Sequence, residues 1–159
     1  RLAKQERLKT VFLYRDPRDI QVSLSFYNQR NQGVEPVFSF EAETLQTVTR
    51  HIMEWKRFPH AHLIRFEDLK RDPAREFLRF SDFVGWGVDK NLAERILAAC
   101  SFERLAQDRK QGQDDKRAHY RKGATGDWRN YYDADARRIA RRICGEALVE
   151  LGYEKSVDW

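Results

Sequence analysis

Residues 9–23, which read KTVFLYRDPRDIQVS, decide the fold because a short apolar strand turns abruptly into a helix there. Residues 11–14 form an unbroken run of apolar side chains, the pattern of a strand covered on both faces inside a parallel sheet. Asp16 suits the N-cap of the following helix, and Pro17 suits its first position, where a missing N–H costs nothing. The stretch therefore predicts an α/β fold in which this strand is followed by a helix that begins at Pro17.

Two side chains of this stretch are candidates for anion binding. Arg15 lies at the carboxyl end of the predicted strand, where open α/β sheets bind their ligands, and Ser23 lies less than two turns into the helix. A guanidinium group, a hydroxyl and a helix N-terminus together suit a phosphate group. The alternative is structural: Arg15 forms an ion pair with Asp16 or Asp19, and Ser23 is solvated.

A second stretch, residues 121–128 with the sequence RKGATGDW, favours the anion-binding interpretation. Arg121 and Lys122 precede a loop that contains Gly123 and Gly126. Glycine backbone approaches a phosphate closely while the two cations neutralise it. The stretch therefore predicts a second part of a phosphate site.

Both stretches resemble the motifs of the sulfotransferase family that uses 3′-phosphoadenosine 5′-phosphosulfate (PAPS). The family's motifs read R-[ND]-P-x-D, with a Ser eight residues after the Arg, and R-K-G-x-x-G-D-W-[KR]-N. Residues 15–23 and 121–130 match these motifs in the same order. The resemblance implies a 3′-phosphate site made of cationic, hydroxyl and backbone donors, namely Arg15, Ser23, Arg121, Lys122 and Gly123.

Two further segments resemble nucleotide-binding parts of the same family. Ser101 and Phe102 resemble its S-F pair near the adenine ring, and a core Phe at a helix end is the alternative. Phe66 begins an F-E-D-L segment where the family has Y-E-D-L after a strand. The family's Tyr hydroxyl helps to hold the adenine, so that hydrogen bond does not carry over to Phe66.

The resemblance covers nearly the whole chain and implies a P-loop-NTPase-like, three-layer α/β fold with a parallel sheet flanked by helices. Only two strands are evident, at residues 11–14 and 60–66, so the sheet looks incomplete. No glycine-rich phosphate loop and no His precede Arg15, and Glu6 is the only carboxylate there. We therefore expect residues 1–159 to be the C-terminal portion of a single, bacterial-like sulfotransferase domain, with the N-terminal part of the sheet missing.

The function that the resemblance implies is transfer of a sulfuryl group from PAPS to a hydroxyl or amine of a small-molecule or glycan acceptor. Adenosine 3′,5′-bisphosphate (PAP) is the product. No residue of the chain matches the family's catalytic base, so we expect the chain alone to be inactive and to need a missing N-terminal half as its partner. The alternative is a noncatalytic module that binds a nucleotide or a polyanion such as RNA or a sulfated glycan.

Composition sets the remaining limits. A chain of 159 residues, 41% of them hydrophobic, suffices for one globular domain. The net charge of +5 suits an anionic ligand but falls short of the basic face of a nucleic-acid binder, so no nucleic-acid partner is expected.

Cys100 and Cys144 lack the spacing of metal ligands, and no metal site is predicted. No apolar run reaches the roughly 18 residues of a membrane span, and a cytoplasmic location is expected.

Overall fold

The computed structural model of the chain describes residues 8–33, 35, 42–106, 110, 112–115 and 121–159. Helices predominate in these ranges, together with two strands and a 3₁₀ helix. In chain order the elements are β1 (Thr10–Tyr14), α1 (Pro17–Gln32), α2 (Ala42–Lys56), β2 (Ala61–Arg65), α3 (Phe66–Arg71), α4 (Pro73–Val84), α5 (Lys90–Ala99), α6 (Phe102–Leu105), the 3₁₀ helix (Asp127–Asn130) and α7 (Ala134–Glu150).

The described residues divide into two compact units. The first unit lies within Arg1–Arg15 and Trp55–Gln113, and the second lies within Asp16–Glu54 and Asp114–Trp159. The first unit therefore contains the two strands with α3 to α6. The second contains α1, nearly all of α2, the 3₁₀ helix and α7.

The two strands of the first unit pair in parallel, in a register that sets Leu13 opposite Ile64. Phe12 points to the other face of the sheet and stacks on Trp55, with 5.3 Å between the ring centres. The prediction that this strand is covered on both faces is wrong, because the Leu13 side chain is 54% exposed. In the described part of the chain the sheet has two strands, so β1 lies at an edge.

The helix after β1 begins at the predicted residue. The Asp16 carboxylate accepts a hydrogen bond from the Arg18 backbone N–H at 2.9 Å, and Pro17 occupies the first turn. The helix ends at Gly33, whose φ of 69° is the left-handed conformation that glycine adopts without strain. The second strand, predicted at residues 60–66, spans Ala61–Arg65.

The core of the second unit joins α1 and α2 to the 3₁₀ helix and α7. Its buried apolar side chains are Val22, Phe26, Leu45, Trp128, Tyr132, Ala136, Ala140, Cys144 and Leu148. Burying a large apolar side chain contributes about 2 to 3 kcal/mol to folding, and Trp128 is only 2% exposed. The core therefore fixes the end of the loop at residues 121–128 against α1.

These elements confirm an α/β architecture with parallel strands. The three-layer sheet and the single domain at residues 1–159 stay predictions. None of the helices in the described ranges is long and apolar enough to cross a lipid bilayer.

Candidate functional site

The loop at residues 121–128 carries the cations that the sequence singled out, and Arg121 is the more enclosed of the two. Its guanidinium donates hydrogen bonds to Asp114 at 3.0 Å, to the Tyr131 hydroxyl at 3.3 Å and to Asp127. Its central carbon lies 4.5 Å from the centre of the Phe26 ring on α1. Arg121 is thus held in place by carboxylates and by an aromatic ring.

Asp127 is the buried carboxylate that joins the two cations. It accepts hydrogen bonds from Arg121 and Lys122, and from the Asn130 amide at 2.8 Å. Burial raises the pKa of the Asp127 carboxyl group, but these hydrogen bonds outweigh burial and hold that pKa below its usual value. The hydrogen bond to Asp127 likewise raises the pKa of Lys122 against the effect of burial. All three groups therefore stay charged at neutral pH.

Asp19 of α1 forms hydrogen bonds to the other end of the loop. Its buried carboxylate accepts hydrogen bonds from the backbone N–H of Gly126 at 2.7 Å and of Trp128 at 2.9 Å. Gly126 has a φ of 72°, and a Cβ atom there would come within 2.7 Å of the Arg129 guanidinium. The left-handed conformation therefore favours glycine at this position, whereas the flexible Arg129 side chain could move away from a Cβ atom.

Ser23 lies on α1 between the two residues that touch the loop. It follows Asp19 by four residues and precedes Phe26 by three, so all three side chains share one face of the helix. The Ser23 side chain is exposed. Gly123 lies in the same unit with a φ of 62°. Within the second unit, the predicted residues Ser23, Arg121, Lys122 and Gly123 thus belong to one α1–loop assembly.

The remaining predicted residues belong to the first unit. The Arg15 guanidinium carbon lies 4.9 Å from the centre of the Phe66 ring. Phe102 begins α6, and the Lys70 ammonium lies 5.7 Å from the centre of its ring. The Ser101 hydroxyl accepts a hydrogen bond from the Arg104 backbone N–H at 3.4 Å and caps this short helix. Ser101 therefore has a structural role as a helix cap, and its nucleotide-binding role stays a prediction.

The two carboxylates considered as partners of Arg15 have well-defined partners in the second unit. Asp19 binds the loop, and Asp16 pairs with Arg18 at 2.7 Å. No group of three or more His, Cys, Asp or Glu side chains in the described residues is placed to hold a metal ion. The cofactor-binding roles of the seven residues stay predictions.

Arg18 is a structural residue that sequence reasoning missed. Its guanidinium is 1% exposed, and it pairs with Asp16 and with Glu154 at 2.6 Å. The guanidinium carbon lies 3.9 Å from the centre of the Trp128 ring and 4.3 Å from that of the Trp159 ring. The side chain links the start of α1, the end of the loop and the C-terminal segment. The sequence gives little indication of this role, because Arg18 stands out there only as a second Arg three residues after Arg15.

Comparison with known proteins identifies the family. A family model described as "Sulfotransferase domain" matches residues 1–152. Cytosolic sulfotransferase 17 of Arabidopsis thaliana is 29% identical over 77% of this chain and 44% of its own length. Flavonol 3-sulfotransferase of Flaveria bidentis is 28% identical over 94% of this chain and 58% of its own length. A crystal structure of a mouse sulfotransferase complexed with PAP has a TM-score of 0.71 at 20% identity, covering 95% of this chain and 62% of that one.

The chain belongs to the sulfotransferase domain family, because the family model matches far more than half of its residues. This confirms the family that the two motifs predicted. The likeness to the mouse structure shows that the fold is shared. The chain spans about half the length of the curated relatives it matches.

Proposed function

We propose that this chain binds the 3′-phosphate and adenine of PAPS and PAP in a domain that transfers a sulfuryl group to a hydroxyl or amine acceptor. One observation carries the proposal: Arg121 and Lys122 lie on a loop that is hydrogen-bonded to Asp19 of α1. Asp19 lies one helical turn before Ser23. Two cations, a hydroxyl and glycine backbone are the donors that a phosphate group needs. The PAP bound to the mouse relative supports the choice of nucleotide.

The charge balance of the loop sets a condition on phosphate binding. Asp127 and Asp114 together offset the charges of Arg121 and Lys122. Asp127 is buried and holds both cations, whereas the Asp114 side chain is 30% exposed. We infer that a 3′-phosphate displaces Asp114 and leaves the Asp127 pairs intact.

The adenine side of the proposal rests on the aromatic rings of the first unit. Phe66 and Phe102 each lie beneath a cation, and an aromatic ring of this kind is suited to stacking on a base. Phe66 has no hydroxyl, so the adenine loses one hydrogen bond that the family's Tyr provides.

We propose that the 5′-phosphosulfate and the small-molecule or glycan acceptor are bound by residues other than those of the α1–loop assembly and of the aromatic rings of the first unit. The catalytic base is likewise a residue outside these two sets. The printed sequence contains no G-x-x-x-x-G-K-[ST] loop, and it spans about half of its curated relatives. A three-layer sheet completed by an N-terminal half, and a cytoplasmic location like that in the name of the Arabidopsis relative, belong to the same proposal.

The test is a calorimetric titration of the chain with PAP and with adenosine 5′-monophosphate at two salt concentrations. A 3′-phosphate site predicts that PAP binds at least about tenfold more tightly, since charge-assisted hydrogen bonds contribute roughly 1.5 to 3 kcal/mol. Equal affinities with a steep dependence on salt would instead support the polyanion-binding alternative. Heparin and single-stranded RNA serve as competitors that distinguish the two outcomes.

A further inference from the structure

The first unit contains a cation that the two sequence motifs do not include. Lys70 lies on α3 four residues after Phe66, so the two side chains share one face of the helix. The Lys70 ammonium lies over the Phe102 ring at 5.7 Å, and the Arg15 guanidinium lies over the Phe66 ring at 4.9 Å. Two cations and two aromatic rings therefore occupy one region of this unit.

The sheet explains why these residues meet. Arg15 directly follows β1, and Phe66 directly follows β2. The strands are parallel and pair Tyr14 with Arg65, so both residues leave the same edge of the sheet. This edge is the carboxyl edge, where open α/β sheets bind ligands. The position of Lys70 one turn into α3 thus belongs to the ligand side of the sheet.

The positions of Lys70 and Arg15 beside the two rings suit an anionic ligand, which would compete with Glu103 for Lys70. Burial lowers the pKa of the Lys70 ammonium group, Glu103 opposes that effect, and the nearby charge of Arg15 lowers the pKa further. Two cations that repel each other in a partly buried place gain stability from an anion between them. A nucleotide offers such an anion together with a base for the rings of Phe66 and Phe102.

We propose that Lys70 binds the same nucleotide phosphate as Arg15 and is a specificity-determining residue for the 3′-phosphate. The proposal rests on the proposed function and adds a residue to its site. Arg15 supplies a planar fork of donors, and Lys70 supplies a compact positive charge from α3. A nucleotide analogue without the 3′-phosphate therefore gains no binding affinity from Lys70.

The experiment compares Lys70→Met with the matched control Lys90→Met in the same unit. The Lys90 side chain is 78% exposed and pairs with Glu94 at 3.9 Å. We expect Lys70→Met to weaken PAP binding about tenfold and to leave the affinity for adenosine 5′-monophosphate unchanged. Lys70→Arg keeps most of the PAP affinity, and Lys90→Met changes neither affinity. An unchanged PAP affinity, or an equal loss for both nucleotides, overturns the proposal.

A measurement on the unmodified chain keeps the test valid if Lys70→Met does not fold. An amine-reactive acylating reagent labels lysines, and mass spectrometry follows the peptide that contains Lys70. We expect saturating PAP to slow acylation of Lys70 severalfold, and adenosine 5′-monophosphate to leave it unchanged. Acylation that is insensitive to PAP contradicts the role of Lys70. If the unmodified chain does not prefer PAP to adenosine 5′-monophosphate, the proposed function itself fails, and this is seen before any variant is made.

Discussion

The Asp19 carboxylate accepts a hydrogen bond from the Trp128 backbone N–H at 2.9 Å, although 109 residues separate the two in the sequence. The same carboxylate also accepts from Gly126 at 2.7 Å. A single residue in the first turn of α1 thus orients the end of the loop that carries Arg121 and Lys122. The proposed phosphate site therefore depends on this contact as well as on the helix that carries Asp19.

Asp19→Asn should destabilise the chain. The variant keeps one carbonyl oxygen but loses the charge shared by the partly buried Gly126 N–H and the buried Trp128 N–H, which costs roughly 1.5 to 3 kcal/mol of unfolding free energy. Urea denaturation followed by circular dichroism measures the loss. The control is Asp135→Asn, because Asp135 pairs with Arg138 on the exposed surface and should contribute less than about 1 kcal/mol. Equal stabilities of the two variants would contradict the anchoring role of Asp19.

Asp114→Asn should tighten PAP binding. The variant removes the carboxylate that competes with the 3′-phosphate for Arg121, and an exposed ion pair of this kind amounts to about 0.5 to 1 kcal/mol, or about two- to fivefold in affinity. Calorimetry at low salt measures the change. Asp135→Asn makes the same change in net charge elsewhere in the unit, so an equal gain in that variant would assign the effect to overall charge. Weaker binding by Asp114→Asn contradicts the prediction.

Arg15→Ala should weaken PAP binding about tenfold or more, because the variant loses a charge-assisted pair of hydrogen bonds to phosphate. Lys122→Ala should weaken it less, since a flexible ammonium group has no fixed fork of donors. Arg95, which is exposed on α5 of the same unit as Arg15, provides the control Arg95→Ala. A folded Arg15→Ala variant with unchanged affinity refutes the assignment of Arg15.

The ion pairs of Asp127 with Arg121 and Lys122 should make the free energy of unfolding decrease at low pH. The pKa of Asp127 is lower in the folded chain than its usual value, because hydrogen bonds from Lys122, Arg121 and Asn130 outweigh burial. Its stabilising contribution is therefore complete above the unfolded pKa of about 4 and is lost as pH falls through the lower, folded pKa.

Asp127→Asn lacks this titration, so its unfolding free energy should fall less steeply below about pH 4 than that of the parent. At neutral pH the variant should be less stable by about 3 kcal/mol, because a largely buried charge cluster loses its anion. Urea titrations across this pH range give both quantities, with Asp135→Asn as the control. Parallel pH profiles for parent and Asp127→Asn would show that Asp127 does not cause the acid sensitivity.

The chain alone should not transfer sulfuryl groups at an enzymatic rate. General base catalysis contributes about 10² to 10⁴-fold, and phosphosulfate positioning contributes a comparable electrostatic factor. The sequence before Arg15 has neither a phosphate-cradling loop nor a His, and Glu6 is its only carboxylate. An assay with PAPS and phenolic, alcoholic and amine acceptors checks the prediction. Rapid turnover by the purified chain would contradict this prediction, because it would mean that residues 1–159 supply the whole catalytic machinery.

The features that sequence reasoning predicted well are governed by local chemistry. The start of α1 follows from Asp16 and Pro17, whose capping roles depend on the adjacent turn alone. The positions of β1 and β2 likewise follow from their short apolar runs, and both strands belong to a parallel sheet as predicted. Local patterns therefore indicate where these elements lie, whereas the pairing of β1 with β2 is a finding of the structure.

The features that sequence reasoning missed depend on distant partners. The spacing of Phe77, Phe80 and Phe83 predicts a buried aromatic face on α4, yet these rings are half-buried, and Glu76 is 2% exposed in its pairs with Arg75 and Arg79. Arg18 is buried for the same reason, because Glu154 and two indole rings reach it from the far end of the chain. No local pattern in the sequence reports such a partner.

The contact of the Trp128 and Trp159 rings gives the second unit an optical signature of its own. The two indoles meet edge to face, with 5.2 Å between their ring centres and an interplanar angle of 76°. Trp55 belongs to the first unit, as does Trp86, so the four tryptophans are divided equally between the units. Coupled transitions of neighbouring indoles produce a circular dichroism couplet, and this couplet reports whether Trp159 is docked beside Trp128. The melting of the second unit is therefore visible without an added label.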